Sequence, residues 1–211
     1  LENNVSTIHS YCNSIAKQVP KGQEFDLDDY DIMSKTIFIT GGSSGIGKCI
    51  GEYLTQKGYE VYGSSRNPEK YKDSKFTLVE LDVTKPDSIQ KCVENLLLKT
   101  GHIDVLINNA GAGITGPLEE IPMEMVKTNF ETNLFGPVGM INAVLPSMRA
   151  QKAGLIINIT SIAGYMGLPF RGVYSASKGA LEIITEAYRM ELKPFNVQMT
   201  NLAPAAFSTN I

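Results

Sequence analysis

The stretch Lys35-Thr36-Ile37-Phe38-Ile39-Thr40-Gly41-Gly42-Ser43-Ser44-Gly45-Ile46-Gly47 decides the fold of this chain. Its first six residues are rich in β-branched and aromatic side chains and predict a buried strand. Ile50, Tyr53 and Leu54 follow the glycines at helical spacing. In such a turn, backbone N–H groups and the positive helix end face an anion, and missing Cβ atoms let a pyrophosphate approach. A plain βα turn is the simpler alternative, but three glycines at this spacing favour a dinucleotide cradle.

A second glycine run, Gly111-Ala112-Gly113-Ile114-Thr115-Gly116, fits the dinucleotide pattern G-x-G-x-x-G letter for letter. It also follows a strand-like run, Val105-Leu106-Ile107-Asn108. Pro117 comes directly after it and no helix opens within the glycines, so the context that the fingerprint requires is lacking. We predict a loop at the carboxyl end of a strand.

Strand-like runs alternate with amphipathic stretches along the rest of the chain. Several of the runs are apolar nearly throughout, as strands covered on both faces must be. The alternation indicates right-handed βαβ units and an α/β fold, with a doubly wound parallel sheet and helices on both faces. The further predicted strands are Glu60–Ser64, Phe76–Leu81, Val105–Asn108, Leu155–Thr160 and Val197–Leu202.

Composition limits the classes of function. The chain has 211 residues, 43% of them hydrophobic and 19% charged, which is enough for one domain with a substantial core. The net charge of −3, without a dense Lys/Arg stripe, disfavours a nucleic-acid partner. Scattered Cys12, Cys49 and Cys92 and the two histidines, His9 and His102, disfavour a disulfide framework or a metal site. A reducing, cytoplasmic location is expected.

Residues 1–32 stand apart from the predicted domain, which we place at 33–211. Pro20-Lys21-Gly22 interrupts this segment and residues 26–31 are an acidic run, so we interpret 1–32 as a solvated or loosely docked, flexible extension. A functional role for it is the less favoured alternative. The opening Leu1-Glu2-Asn3-Asn4 lacks the pattern of a signal peptide, and no apolar run approaches the length of a membrane span.

Tyr174 and Lys178 are the strongest candidates for chemistry. Residues four apart on a helix share a face, so the Lys178 ammonium can lie near the Tyr174 phenol. A phenol ordinarily titrates near pH ~10, and a neighbouring cation favours its ionised form, which suits it to exchange a proton with an alcohol or ketone. The same spacing occurs twice more, with surface pairing as the better interpretation, at Tyr53/Lys57 and Tyr71/Lys75.

Several motifs follow one another along the chain: Thr40-Gly41-x-x-x-Gly45-Ile46-Gly47, Asn108-Asn109-Ala110-Gly111, Asn133, Ser161 and Tyr174-x-x-x-Lys178. Their order and spacing resemble those of the short-chain dehydrogenase/reductases, from about residue 34 to the end. The resemblance implies a Rossmann-type sheet and hydride transfer between a nicotinamide cofactor and a carbonyl or alcohol substrate. Residues 164–170, Gly-Tyr-Met-Gly-Leu-Pro-Phe, are most similar to the 17β-hydroxysteroid and retinol dehydrogenase branch.

The resemblance implies catalytic roles for four side chains. Tyr174 is expected to be the general acid/base, and Ser161 to hydrogen-bond the same substrate oxygen. Lys178 is expected to favour the phenolate and bind the nicotinamide ribose, and Asn133 to help hold a water that connects Lys178 to solvent. Simpler alternatives exist, because Ser161 can cap the turn after a strand and Asn133 can be a satisfied polar residue in a helix.

The same resemblance places the dinucleotide over the first glycine turn. An NAD enzyme usually has an acid after its second strand for the ribose 2′-hydroxyl, but this chain has Ser64 and Ser65, followed by Arg66. A guanidinium suits a 2′-phosphate, as does a turn hydroxyl, so NADP(H) is predicted over NAD(H), with an exposed loop arginine as the simpler alternative. The expected cofactor contacts are Gly41, Ser43, Ser44, Gly45, Ile46, Gly47, Arg66, Asp82, Val83, Asn109, Ala110, Gly111, Tyr174, Lys178, Pro204 and Thr209.

The end of the chain departs from the family pattern. Ala203-Pro204-Ala205 stands where the family usually has Pro-Gly, and a Cβ at Ala205 is expected to shift this loop. Family members also normally continue beyond a point such as Ile211, with a substrate-covering segment and a last strand. We therefore expect a truncated chain that binds cofactor yet turns over poorly. The family pairs the helices that contain Asn133 and residues 174–192, so a homodimer or homotetramer is possible.

The main hypothesis is an NADP(H)-dependent oxidoreductase that interconverts a secondary or primary alcohol and its ketone or aldehyde, with a small-molecule substrate and no metal. One alternative is a 3-oxoacyl carrier protein reductase, which shares these motifs. Another is a non-catalytic NADP-binding regulatory protein, which the altered Pro204-Ala205 loop favours. The intact Asn133, Ser161, Tyr174 and Lys178 argue against the regulatory alternative.

Overall fold

A computed structural model describes residues 35–205, which form a six-stranded sheet in the order β3-β2-β1-β4-β5-β6. All strand pairs are parallel, so the predicted α/β doubly wound sheet is confirmed. The predicted extension and Thr209 lie outside the described residues. The strands are β1 (Thr36–Ile39), β2 (Glu60–Ser65), β3 (Thr77–Glu80), β4 (Val105–Asn108), β5 (Gly154–Ile159) and β6 (Val197–Leu202).

The strand order reverses between β1 and β4, and ligands of open α/β sheets bind in the crevice beyond the carboxyl ends of the strands at such a point. The second glycine run, 111–116, forms a loop at the end of β4, as its sequence context predicts. The crevice therefore lies between the first glycine turn and this loop.

Helices cover both faces of the sheet. In the described part of the chain the α-helices are α1 (Gly45–Gln56), α2 (Pro86–Thr100), α3 (Met123–Phe130), α4 (Gly136–Gln151) and α5 (Gly172–Leu192). A π-helical turn, Glu131–Phe135, joins α3 to α4, so Asn133 does not lie in regular α-helix. Such π-bulges are frequent at functional sites.

The core has two layers because successive side chains of a strand point to opposite faces. On one face, Phe38, Leu106 and Ile156 are fully buried and pack with Met140 and Ile141 of α4. The other face packs on α1 through Ile37, Ile39, Val61, Phe76, Ile107 and Ile159. Burial on both faces explains why the strands are apolar nearly throughout.

Three asparagines lie side by side near the carboxyl edge of the sheet, because Asn108 is in register with Asn158 and Asn158 with Asn201. The Asn108 amide donates to Asn158 Oδ1 at 2.9 Å, and the Asn158 amide donates to Thr185 Oγ1 of α5 at 2.8 Å. Asn158 and Thr185 are completely buried. This polar network fixes α5 against the sheet next to the crevice.

Thr185→Val keeps the side-chain shape but removes the acceptor of the buried Asn158 amide. Because an unpaired buried donor loses its hydration without compensation, we expect the free energy of unfolding to fall by about 1–3 kcal/mol. Thr128→Val is the matched control, since the exposed Thr128 hydroxyl only donates to the Glu124 carbonyl of its own helix. Urea denaturation followed by circular dichroism measures both variants, and equal losses would contradict the role of the network.

Candidate active site

The first glycine turn approaches other backbone too closely for side chains. Gly41 has φ +66°, and a Cβ on it would lie 3.0 Å from the Cα of Ala110. A Cβ on Gly47 would lie 2.5 Å from the Gly41 carbonyl oxygen and would also overlap the Asn109 amide. Glycine is therefore required at both positions, and the turn leaves open the space in front of the amino end of α1.

Side chains of Thr40 and Asn109 join this turn to the end of β4. Thr40 Oγ1 accepts the N–H groups of Asn109 and Ala110, both at 3.0 Å. The Asn109 amide donates to the carbonyls of Thr40 at 3.0 Å and Gly41 at 3.1 Å. The predicted contacts Gly41 and Asn109–Gly111 are thus brought together, and Thr40, at the last position before the glycines, is a supporting residue that the sequence analysis did not identify.

Ser64 supports the same turn from β2. Its buried Oγ accepts the Gly41 N–H at 3.1 Å, and its carbonyl accepts the Gly42 N–H at 2.9 Å. The Ser65 hydroxyl accepts the Asn67 N–H at 3.2 Å. Both serines are buried, so they hold backbone in place where an acid was expected in an NAD enzyme. Arg66 and Ser44 are exposed and Ser43 is partly exposed, so these predicted contacts for a 2′-phosphate are accessible.

Asp82 and Val83 follow β3. The Thr84 N–H and hydroxyl donate to Asp82 Oδ1 at 3.0 and 2.7 Å. Burial raises the pKa of the Asp82 carboxyl, but the Thr84 hydrogen bonds and the charges of Arg66 and Lys85 outweigh burial and hold the pKa below its ordinary value. Asp82 therefore presents an ionised acceptor near Arg66.

Lys178 lies on α5, one turn after Tyr174, and is only 5% exposed. Its Nζ donates to the carbonyl of Ile159, the last residue of β5, at 2.8 Å. Burial lowers the pKa of Lys178 to about 8, and the charge of Glu182 opposes this shift. An ammonium has three N–H donors, so two remain for other acceptors.

Ser161 begins the short 3₁₀ turn Ile162–Tyr165 after β5, and its Oγ accepts the Ala163 N–H at 3.2 Å. The capping role that was the simpler alternative is therefore present, but it uses an oxygen lone pair and leaves the hydroxyl proton as a donor. The 3₁₀ turn crosses α5 at backbone distance, since a Cβ on Gly179 would lie 2.8 Å from the Gly164 carbonyl oxygen. This crossing brings the Ser161 turn against the helix that carries Tyr174 and Lys178.

The Asn133 side chain is completely buried and holds the loop after β4 against α5. Its Oδ1 accepts the Ala112 N–H at 2.8 Å, and its amide donates to the Ala112 carbonyl at 2.9 Å and to Ser177 Oγ at 3.1 Å. A Cβ on Gly111 would lie 3.2 Å from Asn133 Oδ1 and 3.5 Å from Lys178 Nζ. Asn133 is thus a satisfied polar residue that also flanks Lys178, and its link to a water remains a prediction.

Large apolar side chains are exposed on the loop after β4 and on the segment before α5. The Gly116 N–H donates to the Phe170 carbonyl at 2.8 Å, which ties the loop after β4 to the segment before α5. Large apolar side chains of these segments are exposed, namely Leu118, Tyr165, Met166 and Phe170. On the remaining side, the Pro204 carbonyl accepts the Ile162 N–H at 3.3 Å.

Other predictions concern features away from the crevice. Lys57 Nζ lies 5.6 Å from the centre of the Tyr53 ring on the surface of α1, as surface pairing predicts. Within residues 35–205, no group of three or more His, Cys, Asp or Glu side chains is placed to hold a metal ion. In the same range, no helix is both long enough and apolar enough to cross a membrane.

Residues 35–211 match the sequence model of a family described as short chain dehydrogenase. Curated relatives include a 3-ketodihydrosphingosine reductase of Bacteroides thetaiotaomicron, 46% identical, with the match covering 82% of this chain and 64% of the relative. Human retinol dehydrogenase 8 is 35% identical, with 83% of this chain and 60% of the relative covered. The chain therefore spans less than two thirds of the length of these relatives.

Solved structures share the fold. A short-chain dehydrogenase from Streptomyces avermitilis has a TM-score of 0.81 and 34% identity, covering 84% of this chain and 68% of that chain. A metagenomic short-chain oxidoreductase in complex with NADP has a TM-score of 0.77 and 30% identity, covering 82% and 83%. A xylitol dehydrogenase bound to NAD⁺ has a TM-score of 0.77 and 28% identity, covering 81% and 70%.

The buried Lys178 ammonium makes the stability of the fold depend on pH. Its pKa falls from 10.5 to about 8 on burial, so between these values the unfolded chain keeps a proton that the folded chain has released. Stability therefore rises with pH across this range. Relative to Lys178→Met, which has no group to titrate, we expect the wild type to gain about 2–3 kcal/mol of unfolding free energy between pH 7 and pH ~10.

Urea denaturation of the wild type and of Lys178→Met at several pH values measures this gain. Lys193→Met, which replaces an exposed lysine, is the matched control and should show no such difference. A difference between wild type and Lys178→Met that stays constant with pH would contradict the lowered pKa of Lys178.

Proposed function

Because the chain belongs to the short-chain dehydrogenase family, we propose that it is an NADP(H)-dependent oxidoreductase that interconverts an alcohol and its ketone or aldehyde. The observation that carries this proposal is the buried Lys178 on α5, flanked by Asn133 and Gly111 at the crevice between β1 and β4. Tyr174 lies one turn before Lys178, and the Ser161 turn crosses the same helix. These are the groups that proton exchange with a substrate oxygen requires.

The residues of the crevice suit a nicotinamide dinucleotide. The first glycine turn has no room for a Cβ at Gly47, and it leads into the amino end of α1, which favours a pyrophosphate. When bound, the nicotinamide supplies or accepts the hydride. Lys178 uses one N–H for the Ile159 carbonyl and has two left for the ribose hydroxyls.

Tyr174 is the general acid/base of the proposed reaction. In reduction its phenol donates a proton to the carbonyl oxygen of the substrate, and in oxidation its phenolate removes the proton of the alcohol. The Ser161 hydroxyl donates a hydrogen bond to the same oxygen and holds it in place. The Lys178 cation on the same helix face favours the phenolate. A water held near Asn133 completes the path from Lys178 to solvent.

The preference for NADP(H) rests on Arg66. Its exposed side chain follows β2, at the position where dinucleotide-binding folds contact the ribose 2′-substituent. The hydroxyls of the two serines before it accept backbone N–H groups. A guanidinium and the hydroxyls of Ser43 and Ser44 suit a 2′-phosphate. Asp82 accepts a hydrogen bond from the adenine amino group in this proposal. Because relatives are seen with NADP and with NAD⁺, the fold alone does not choose between them.

The proposed substrate is a lipophilic carbonyl compound or its alcohol. The exposed apolar side chains of Leu118, Tyr165, Met166 and Phe170 support this, because they provide little polar recognition around the entrance. The names of the relatives, 3-ketodihydrosphingosine reductase and retinol dehydrogenase 8, point to the same chemical class. A 3-oxoacyl thioester is the competing substrate.

The proposal extends to assembly and location. Ile183 and Met190 are large apolar side chains that α5 exposes to solvent, and Phe135 is exposed at the start of α4. Covering these side chains with a second copy would bury apolar surface, so we propose a homodimer or homotetramer. We also propose a cytoplasmic location, where free cysteines such as Cys49 and Cys92 stay reduced.

Tyr174→Phe removes the proposed acid/base while keeping the ring. We expect turnover to fall by about 10²–10⁴-fold, because that is the usual contribution of a positioned acid, with NADPH affinity unchanged within about threefold. The assay follows NADPH oxidation with 3-ketodihydrosphingosine, retinal and a 3-oxoacyl thioester. Tyr188→Phe is the matched control, since the Tyr188 hydroxyl only donates to Asn142 on the same surface.

The outcomes of this assay separate the hypotheses. Turnover of the thioester alone would favour a carrier protein reductase. NADPH binding without turnover of any substrate, in a chain with its full C-terminus restored, would favour a regulatory protein. Tyr174→Phe with wild-type turnover would refute the proposed mechanism.

Arg66→Ala removes the guanidinium that the proposal assigns to the 2′-phosphate. We expect NADPH affinity to fall by about 10–100-fold, the value of one or two charge-assisted hydrogen bonds, and NADH affinity to change little. Quenching of intrinsic tyrosine fluorescence measures both dissociation constants. Arg149→Ala is the matched control, because Arg149 stacks on Phe195 with 4.7 Å between guanidinium carbon and ring centre. Equal losses for the two cofactors would contradict NADP selectivity.

A further inference from the structure

Burial disfavours the charged ammonium form of the Lys178 side chain unless a nearby group offsets it. Its hydrogen bond to the Ile159 carbonyl supplies one partner but no opposite charge. Removing an ammonium from water is unfavourable unless it is paired or neutralised. The proposed function needs the charged form at neutral pH, since the cation both holds the ribose and favours the phenolate.

Glu182 lies one helical turn after Lys178 on α5 and is only 8% exposed. Its Oε2 accepts a hydrogen bond of 2.5 Å from the Asn201 amide of β6. Its other oxygen, Oε1, is buried and has no hydrogen-bond partner within the described residues. A carboxylate is therefore held inside the protein by one neutral amide, with its second oxygen unpaired.

The groups around Lys178 leave Glu182 as its counter-charge. On its own helix Lys178 is flanked by Tyr174 one turn before and Glu182 one turn after. The other elements packed against it contribute neutral groups: the Ile159 carbonyl of β5, the Gly111 backbone and the Asn133 amide of the π-turn. The negative charge of Glu182 acts against the effect of burial on the pKa of Lys178.

We propose that Glu182, held in place by Asn201, is a positioning residue that keeps the buried Lys178 ammonium charged at neutral pH. Glu182 touches neither cofactor nor substrate in this proposal and acts only through Lys178. The consequence for the reaction rests on the proposed function, whereas the electrostatic coupling of the two side chains does not.

Glu182→Gln tests the charge, because glutamine keeps an acceptor for the Asn201 amide and removes the negative charge. The protein is labelled with ¹³Cε-lysine, and the Lys178 signal, identified by its loss in Lys178→Arg, is followed by NMR from pH 6 to 11. We expect the Lys178 titration midpoint to fall by about one pH unit in Glu182→Gln. Glu186→Gln, which neutralises the exposed glutamate one turn further along α5, is the matched control and should leave the midpoint in place.

Asn201→Leu provides a second variant if Glu182→Gln does not fold. It keeps the carboxylate but removes the hydrogen bond that stabilises its charge, so the Lys178 midpoint should move in the same direction. An unchanged Lys178 midpoint in either folded variant would overturn the proposal. A merely structural role would lower the temperature of the thermal transition without moving this midpoint.

A measurement of NADPH binding as a function of pH links this coupling to the proposed function. In Glu182→Gln the NADPH affinity should fall at a lower pH than in the wild type, because Lys178 loses its proton earlier. A shifted NMR midpoint in a protein whose Tyr174→Phe variant turns over normally would refute the proposed function but leave the coupling intact. An unshifted midpoint in a protein whose turnover depends on Tyr174 would refute only the role of Glu182.

Discussion

The hydrogen bonds that join the ends of β1 and β4 are the constraint on which the site depends. A glycine turn between a strand and a helix has carbonyl and N–H groups that need partners. The Asn109 amide, after β4, donates to the carbonyls of Thr40 and Gly41, and Ser64 Oγ of β2 accepts the Gly41 N–H. Thr40 Oγ1 in turn accepts the N–H groups of Asn109 and Ala110. Gly41 and Gly47 let this turn pack directly against the residues that follow β4, since neither has room for a Cβ.

A second feature of the site is the buried side chain of Lys178. The close backbone crossing of Gly164 and Gly179 brings α5 onto the Ser161 turn and encloses Lys178. The enclosed ammonium donates a hydrogen bond to the Ile159 carbonyl. The same burial lowers the pKa of Lys178 and so disfavours its charged form. Buried polar side chains lie near the carboxyl edge of the sheet, where Asn108 is joined to Asn158, Asn158 to Thr185 and Asn201 to Glu182.

Residues that a family motif groups together do different physical work here. Asn133 and Ser161 both make hydrogen bonds that hold backbone, in addition to lying near Lys178 or on the turn against it. Ser64, at the position of the expected acid, is buried and supports the glycine turn. Arg66 instead is exposed directly after β2. Membership of a motif therefore does not tell whether a residue holds the backbone in place or contacts a ligand.

Local patterns determined most of the fold, because strand and helix periodicities and the glycine turn act over a few residues. They also determined that Tyr174 and Lys178 share a helix face. The predicted strand Phe76–Leu81 is one residue shorter at each end in the structure, Thr77–Glu80, and both Phe76 and Leu81 are buried beside it. What only the tertiary structure decided are contacts between distant segments: the alignment of Asn201 with its neighbours and its bond to Glu182. Such pairs depend on strand register and helix docking, which no single stretch of sequence encodes.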